Sequence, residues 1–212
     1  MFGRNRQVNL FRELRIDNFL NEKENDIKNK IGRYSDSTLA TINIESEIKK
    51  LIDSANLIVP NLKKEKTKTS ITTEKMTGQQ LPSGTRFEMG RKYDIEIANY
   101  NIPFYGNKEF FKCHPSKNIS FRPLSVELQE DLLTIKLTNW LNGISGKDEV
   151  IEMLKNELIN YVESIELVLT QLQEDIDGYK PVLEKKIQTE LETLIKKVNI
   201  KNESNDKLNP FS

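Results

Sequence analysis

The one pairing in this 212-residue chain that invites nucleophilic chemistry is Cys113 beside His114, near the end of the stretch Ile102-Pro-Phe-Tyr-Gly-Asn-Lys-Glu-Phe-Phe-Lys-Cys-His-Pro-Ser116. A thiol becomes a useful nucleophile when a base lies within hydrogen-bond reach. Neighbouring residues in extended backbone project to opposite faces, so these two share a proton only if the chain bends. A structural zinc site needs about four Cys, His or carboxylate ligands at suitable spacing, which one Cys and one His do not supply. The hydroxyls of Ser35 and Ser37 have only His114 as a conceivable base. No catalytic residue, cofactor or metal is therefore expected, and the chain reads as a non-enzyme.

Two further sets of residues suggest binding instead. Lys63, Lys64, Lys66 and Lys68 form the most basic segment of the chain and are candidate phosphate contacts. No aromatic is interleaved with them, so a stacking platform for nucleic acid is missing and a surface loop is the simpler reading. Ile151, Leu154, Leu158, Tyr161, Ile165, Val168 and Leu172 step by alternating three and four residues. That is a heptad seam, the pattern by which one helix recognises another, and it is the candidate partner-binding surface.

The elements that must position these residues follow from periodicity. Residues 1–9 are polar and basic and are expected to be disordered. Asp17 can cap a helix through Ile27 and Ile31, ended at Gly32, a residue that tolerates the left-handed conformation. Its middle, Asn21 to Asn29, is charged or amide throughout except Ile27 and reads as a solvated face. A second helix, capped by Asn43 or Ser46, places Ile44, Ile48, Leu51 and Ile52 on one face, to pack on the sheet, and stops before Pro60. From about Thr67 the period becomes two: Ser70-Ile-Thr-Thr73, then Pro82-Ser-Gly84 as a turn, then Tyr93, Ile95 and Ile97 alternating with Asp94 and Glu96. Further strands are expected at Ile119 and Phe121, and as a hairpin at Val126 to Leu128 and Leu133 to Leu137.

The prolines of Ile102 to Ser116 fix φ, Gly106 permits a turn, and Phe104, Tyr105, Phe110 and Phe111 crowd together. The stretch is expected to be a rigid, partly buried crossing, with Phe104, Phe110 and Phe111 filling the junction between the sheet and the long helix. After Gly146 the helical seam runs to Gly178, which is expected to stop it, and Pro181 opens a further helix carrying Leu183, Ile187, Leu191, Leu194 and Val198. The pair folds back as a hairpin or extends as a bent rod.

The expected class is α+β: a small antiparallel sheet with N-terminal helices and a long C-terminal helical arm or hairpin. Four segments result: residues 1–62 helical, 63–143 the sheet, 144–200 the arm, and 201–212 a disordered tail. Lys plus Arg equals Asp plus Glu at 32 each, so no global field draws the chain to nucleic acid or an anionic membrane. A single cysteine fits a reducing compartment, and no apolar run approaches a signal peptide or the roughly 20 residues of a membrane span, so a cytoplasmic location is expected.

The run Leu81-Pro-Ser-Gly-Thr85, Tyr93 to Asn101, and Ile102-Pro-Phe-Tyr-Gly-Asn107 with Phe110, Phe111, Pro115 and Ser116 resembles the N-terminal region of a group of uncharacterised bacterial proteins. In that group similar segments sit in a small sheet, followed by a long charged helical pair and a C-terminal restriction-endonuclease-like domain. The resemblance spans about residues 70–200. Asn107 stands where the group has an acidic residue, and no Asp/Glu-x-Lys context for a metal site is present, so the resemblance implies the non-catalytic part alone and carries over no functional residue. The expected function is a protein-interaction or regulatory module associated with a nuclease or defence-type system, binding a protein partner or a second copy through its C-terminal helices. A nucleic-acid-binding accessory role is the alternative.

Overall fold

The computed structural model describes residues 6–81, 88, 90–140 and 143–208. In chain order the elements are β1 (Arg6–Asn9), β2 (Leu14–Arg15), α1 (Ile16–Ile31), α2 (Asp36–Thr41), α3 (Ile44–Ala55), β3 (Asn61–Leu62), β4 (Lys68–Thr77), β5 (Lys92–Tyr105), β6 (Cys113–His114), β7 (Ser125–Leu128), β8 (Leu132–Leu137) and α4 (Asp148–Leu208). The chain is α+β, with N-terminal helices, a mostly antiparallel sheet and a long C-terminal helix. Among the described residues no helix is long and apolar enough to cross a membrane.

The sheet is organised around β5, whose 14 residues outrun every neighbour. On one edge β4 pairs with it from Lys68↔Asn101 to Thr77↔Lys92, and β3 continues that edge at Leu62↔Phe104. The other edge takes β8, then β7, then β1, every pair antiparallel. Strand alternation divides the side chains. Ala98, Tyr100, Ile102 and Phe104 join Leu133, Ile135 and Leu137 in the main core. The opposite face is polar in its middle: Asn99 Nδ2 donates to Thr72 Oγ1 at 2.9 Å, and Lys136 Nζ meets Glu127 at 2.6 Å.

The long helix is one uninterrupted element of 61 residues, about 90 Å at 1.5 Å per residue. No hairpin forms at Gly178, and Pro181 lies inside the helix, so of the two expected arrangements the extended one is found. Proline there deprives the Asp177 carbonyl of its usual donor. Asp177, Gly178 and Pro181 all face solvent, so water can satisfy that carbonyl. The buried stripe continues past Pro181 as Leu172, Ile176, Leu183, Ile187 and Leu191, so packing on both sides keeps the helix continuous.

Other expectations are corrected in the same way. Residues 6–9 are the strand β1, registered Val8↔Val126, with Val8 buried; residues 1–5 lie outside the described set. Gly32 ends α1 with a right-handed φ of −62°. The apolar face of α3 packs on α1 and α4 instead of the sheet, and Asn43 caps it by accepting from Ser46 N at 2.9 Å. Ile119 and Phe121 form no strand, and the Phe121 ring packs on Phe11 instead. Residues 201–208, expected to be disordered, are helical, and Lys201 Nζ reaches Asp36 of α2 at 2.5 Å. The turn expected at Pro82-Ser-Gly84 and the terminal residues 209–212 lie outside the described residues.

Candidate functional site

The segment Leu10 to Arg15 has no helical or strand periodicity, and tertiary hydrogen bonds decide its path. Leu10 N donates to Leu124 O at 3.1 Å, Phe11 N to Phe111 O at 2.7 Å, and Glu13 N to Lys112 O at 3.1 Å. The short parallel pair Leu14↔Cys113 and Arg15↔His114 completes the attachment. Phe11 is held at φ 58°, a left-handed conformation that bulky residues rarely adopt. Its ring packs edge-on against Phe121 at 5.2 Å and tilted against Phe111 at 6.3 Å. Strain of order 1–3 kcal/mol survives only where surroundings over-determine it, and it concentrates at functional sites.

Phe11 lines an open cavity of about 820 Å³ between residues 11–18 and residues 114–121, with Val168 of α4 at its base. Leu14, Ile119 and Phe121 add apolar surface, and Arg12, Glu13, Arg15, His114 and Ser116 line its polar parts. The far wall is pinned to α4: Ser116 N and Oγ donate to the Asp175 carboxylate at 2.9 and 2.5 Å, and Lys117 pairs with Glu174 at 3.0 Å. The Lys117 ammonium holds the Glu174 carboxyl below the usual carboxylate range. Arg12 donates to Phe121 O at 3.4 Å, while the Arg15 guanidinium stays 79 % exposed beside Asp17 at 3.7 Å. The cavity therefore joins an apolar interior to two guanidinium groups, with Glu13 as the one carboxylate among its lining residues.

Cys113 and His114 do not form a dyad. The thiol is fully buried and donates to Glu109 O at 3.4 Å, and burial, aided by the Glu109 charge, pushes its pKa up to about 12. A thiol so placed holds almost no thiolate at neutral pH. His114 Nδ1 lies 2.7 Å from Pro115 O. A carbonyl only accepts, so Nδ1 is the donor in this contact. Phe110 and Phe111 are buried as expected, but they meet Phe19 of α1 and Phe104 of β5, so this aromatic cluster joins the sheet to α1 and the Phe11 loop.

The lysine cluster is dispersed. Lys64 sits in a short 3-10 turn with its ammonium 2.8 Å from Glu166, Lys63 is half-buried, Lys66 is exposed and Lys68 begins β4. The helical seam is occupied by the chain itself. Leu154, Tyr161, Ile165, Val168 and Leu172 are buried in the core, and Ile151 and Leu158 pack against it half-buried. The buried members of the seam are thus covered by the chain's own sheet and helices.

Sequence reasoning missed Phe11, Arg12, Arg15 and Asp175, whose roles come from contacts distant in the chain. It also misread Glu24, placed within a solvated run. Leu20, Glu24, Ile27 and Ile31 are spaced four, three and four apart and are all buried, so Glu24 occupies a core position of α1. A charge at such a position signals a dedicated partner. Its partners are Lys186 Nζ at 2.6 Å, Lys28 Nζ at 2.8 Å and Tyr179 Oη at 3.0 Å.

No protein-family model matches the chain, and neither a curated protein nor a solved structure matches it.

Proposed function

We propose that this chain is a non-catalytic protein-interaction module, and that its recognition surface is the cavity beside Phe11. The observation that carries this reading is the strained φ of Phe11, held by three backbone hydrogen bonds from residues 10, 11 and 13 at the lip of an open, partly apolar space. A wall so over-determined can receive a ligand without paying to order itself. The chemistry of the lining selects a short peptide segment of a partner protein, with an apolar side chain against Leu14, Ile119 and Phe121 and a carboxylate toward Arg12 and Arg15. Burial of the Cys113 thiol supports a binding role over nucleophilic chemistry. Association with a nuclease or defence-type system rests on the resemblance of residues 70–200 and adds the expectation that the partner is encoded beside such an enzyme.

The experiment is selection of a random peptide library on the intact chain. Selected peptides should combine acidic with aliphatic or aromatic residues. The double variant Arg12→Glu, Arg15→Glu, at two exposed positions, should fold and lose them by at least about tenfold. Peptides without acidic bias, or binding unchanged in the variant, overturn the reading. The nucleic-acid alternative has less support, because Lys64 is already paired with Glu166. It would be favoured by oligonucleotide binding that falls steeply with salt and disappears when Lys63, Lys66 and Lys68 are replaced by Gln.

A further inference from the structure

The outer edge of β4 lies outside the cavity lining and is paired with no other described strand. β4 pairs with β5 in ten successive positions without a bulge. All its residues are exposed except the half-buried Met76, and Ile71 is 48 % exposed. Edge strands are normally blunted by proline, bulges or central charges, because unpaired N–H and C=O groups recruit another strand. Residues 69–73, Thr-Ser-Ile-Thr-Thr, have none of these devices and are rich in β-branched side chains.

We infer that β4 pairs antiparallel with β4 of a second copy about a two-fold axis through Ile71, joining the two sheets edge to edge. The axis is chosen by complementarity of the sequence with itself. In this register Ile71 faces its own copy, Ser70 faces Thr72, Thr69 faces Thr73 and Lys68 faces Glu74, and each unlike pair occurs twice by symmetry. Unlike charges and β-branched or hydroxyl pairs directly opposite one another stabilise a ladder, and like charges there destabilise it. Moving the axis to residue 72 puts Thr69 against Lys75 and Ser70 against Glu74, and moving it to residue 73 puts Ile71 against Lys75, so both lose the charge pairing. An axis through a residue also pairs positions of equal parity. The outward N–H and C=O groups of one strand then meet those of the other, whichever parity carries them. Glu74 lies 3.7 Å from Lys136 of its own chain, a loose contact that leaves its carboxylate free to turn toward Lys68 of the copy. One ladder buries less surface than the roughly 1,200–2,000 Å² of stable complexes, so the dimer is weak and concentration-dependent.

The test is sedimentation of the full chain across a concentration series, with circular dichroism to confirm folding. The wild type should pass from monomer to dimer. Ile71→Lys sets two lysines face to face and should weaken the dimer at least about tenfold, as should Lys68→Glu alone. The double variant Lys68→Glu, Glu74→Lys restores both pairs in this register only and should recover the dimer. Ile71→Cys should cross-link through its copy on mild oxidation, since the native Cys113 is buried. A monomer at every concentration, a dimer indifferent to Ile71→Lys, or a double variant no better than Lys68→Glu overturns the inference. So does capture of a foreign strand by a chain that stays monomeric. None of these outcomes bears on peptide binding beside Phe11, which uses other residues.

Discussion

Glu24 of α1 accepts a hydrogen bond from Lys186 Nζ of α4 at 2.6 Å, across 162 positions of sequence. Lys28 approaches the same carboxylate from the next turn at 2.8 Å, and the Tyr179 hydroxyl donates to it at 3.0 Å. Hydrogen bonds from Lys186, then Lys28, outweigh desolvation and hold the carboxyl at about 2 against an ordinary 4.5. The Tyr179 phenol is raised in turn, first by burial and then by its bond to Glu24. One buried charge thus fastens the first helix to the far half of the last, beyond Pro181.

This carboxylate should govern acid stability. A pKa depressed on folding contributes stability that is fully present above about 4.5 and is lost as pH falls toward 2, because the unfolded chain takes up the proton first. The contribution is on the order of 3 kcal/mol for a group this well buried. Urea melts from pH 7 to pH 2.5 should show a steep loss below pH 4.5 in the wild type. Glu24→Gln should be less stable at neutral pH and flatter on the acid side. An unchanged acid limb in Glu24→Gln would falsify the assignment.

A second carboxylate anchors the approach to α4. Glu96 of β5 accepts from Ser145 Oγ at 2.5 Å, Ser145 N at 2.8 Å and Ile144 N at 2.5 Å, and these bonds, the Ser145 hydroxyl first, hold it at about 2. Glu96→Ala should leave the sheet intact and loosen the start of the helix. Amide hydrogen exchange should accelerate at residues 144–151 while β5 and β8 stay protected. Uniform acceleration across the sheet would contradict a local role.

Two glycines should respond to alanine with opposite signs. Gly106 has φ +123°, and a β-carbon there would lie 2.8 Å from Val59 O, 2.9 Å from Pro60 Cα and 3.0 Å from Ile58 O. All three are backbone atoms, so Gly106→Ala should cost about 3 kcal/mol or more. Gly178 is helical with nothing within 4 Å of the same position, so Gly178→Ala should stabilise by about 0.5–1 kcal/mol. Thermal melts of the two variants read both signs directly.

Phe104→Ala and Phe111→Ala should each cost about 3–5 kcal/mol, a large share of a domain's roughly 5–15 kcal/mol, and give poorly folded protein. Cys113→Ser can keep the bond to Glu109 O, and His114 joins β2 through its backbone while its side chain bonds Pro115 O of its own loop, so Cys113→Ser and His114→Ala should remain folded. Melting temperatures beside the peptide-binding assay separate these roles. Normal folding of the phenylalanine variants would show that the aromatic cluster is not structural.

Several features were legible because they are local. Alternation of Ile95 and Ile97 with charged residues identified β5, Asn43 and Ser46 marked the start of α3 as its two candidate caps, and the spacing from Ile151 to Leu172 marked the long helix. Each depends on which face of a short element avoids water, and a period of 2 or 3.6 records that directly. Which surface provides the cover is a different question. The seam on α4 reads the same whether a partner or the chain's own sheet buries it, and only the fold showed that the chain buries it itself. Gly178 and Pro181 are local helix breakers, overridden because buried residues on both sides are worth more than one lost hydrogen bond. Glu24 looked solvated until Lys186 and Tyr179 came to it from the far end of the chain. Phe11 takes a conformation its own side chain disfavours, because backbone bonds to residues 111, 112 and 124 leave that segment no other path. Composition and spacing determined α3, the first half of β5 and the first half of α4; contacts between residues about a hundred or more positions apart decided which surfaces were left exposed.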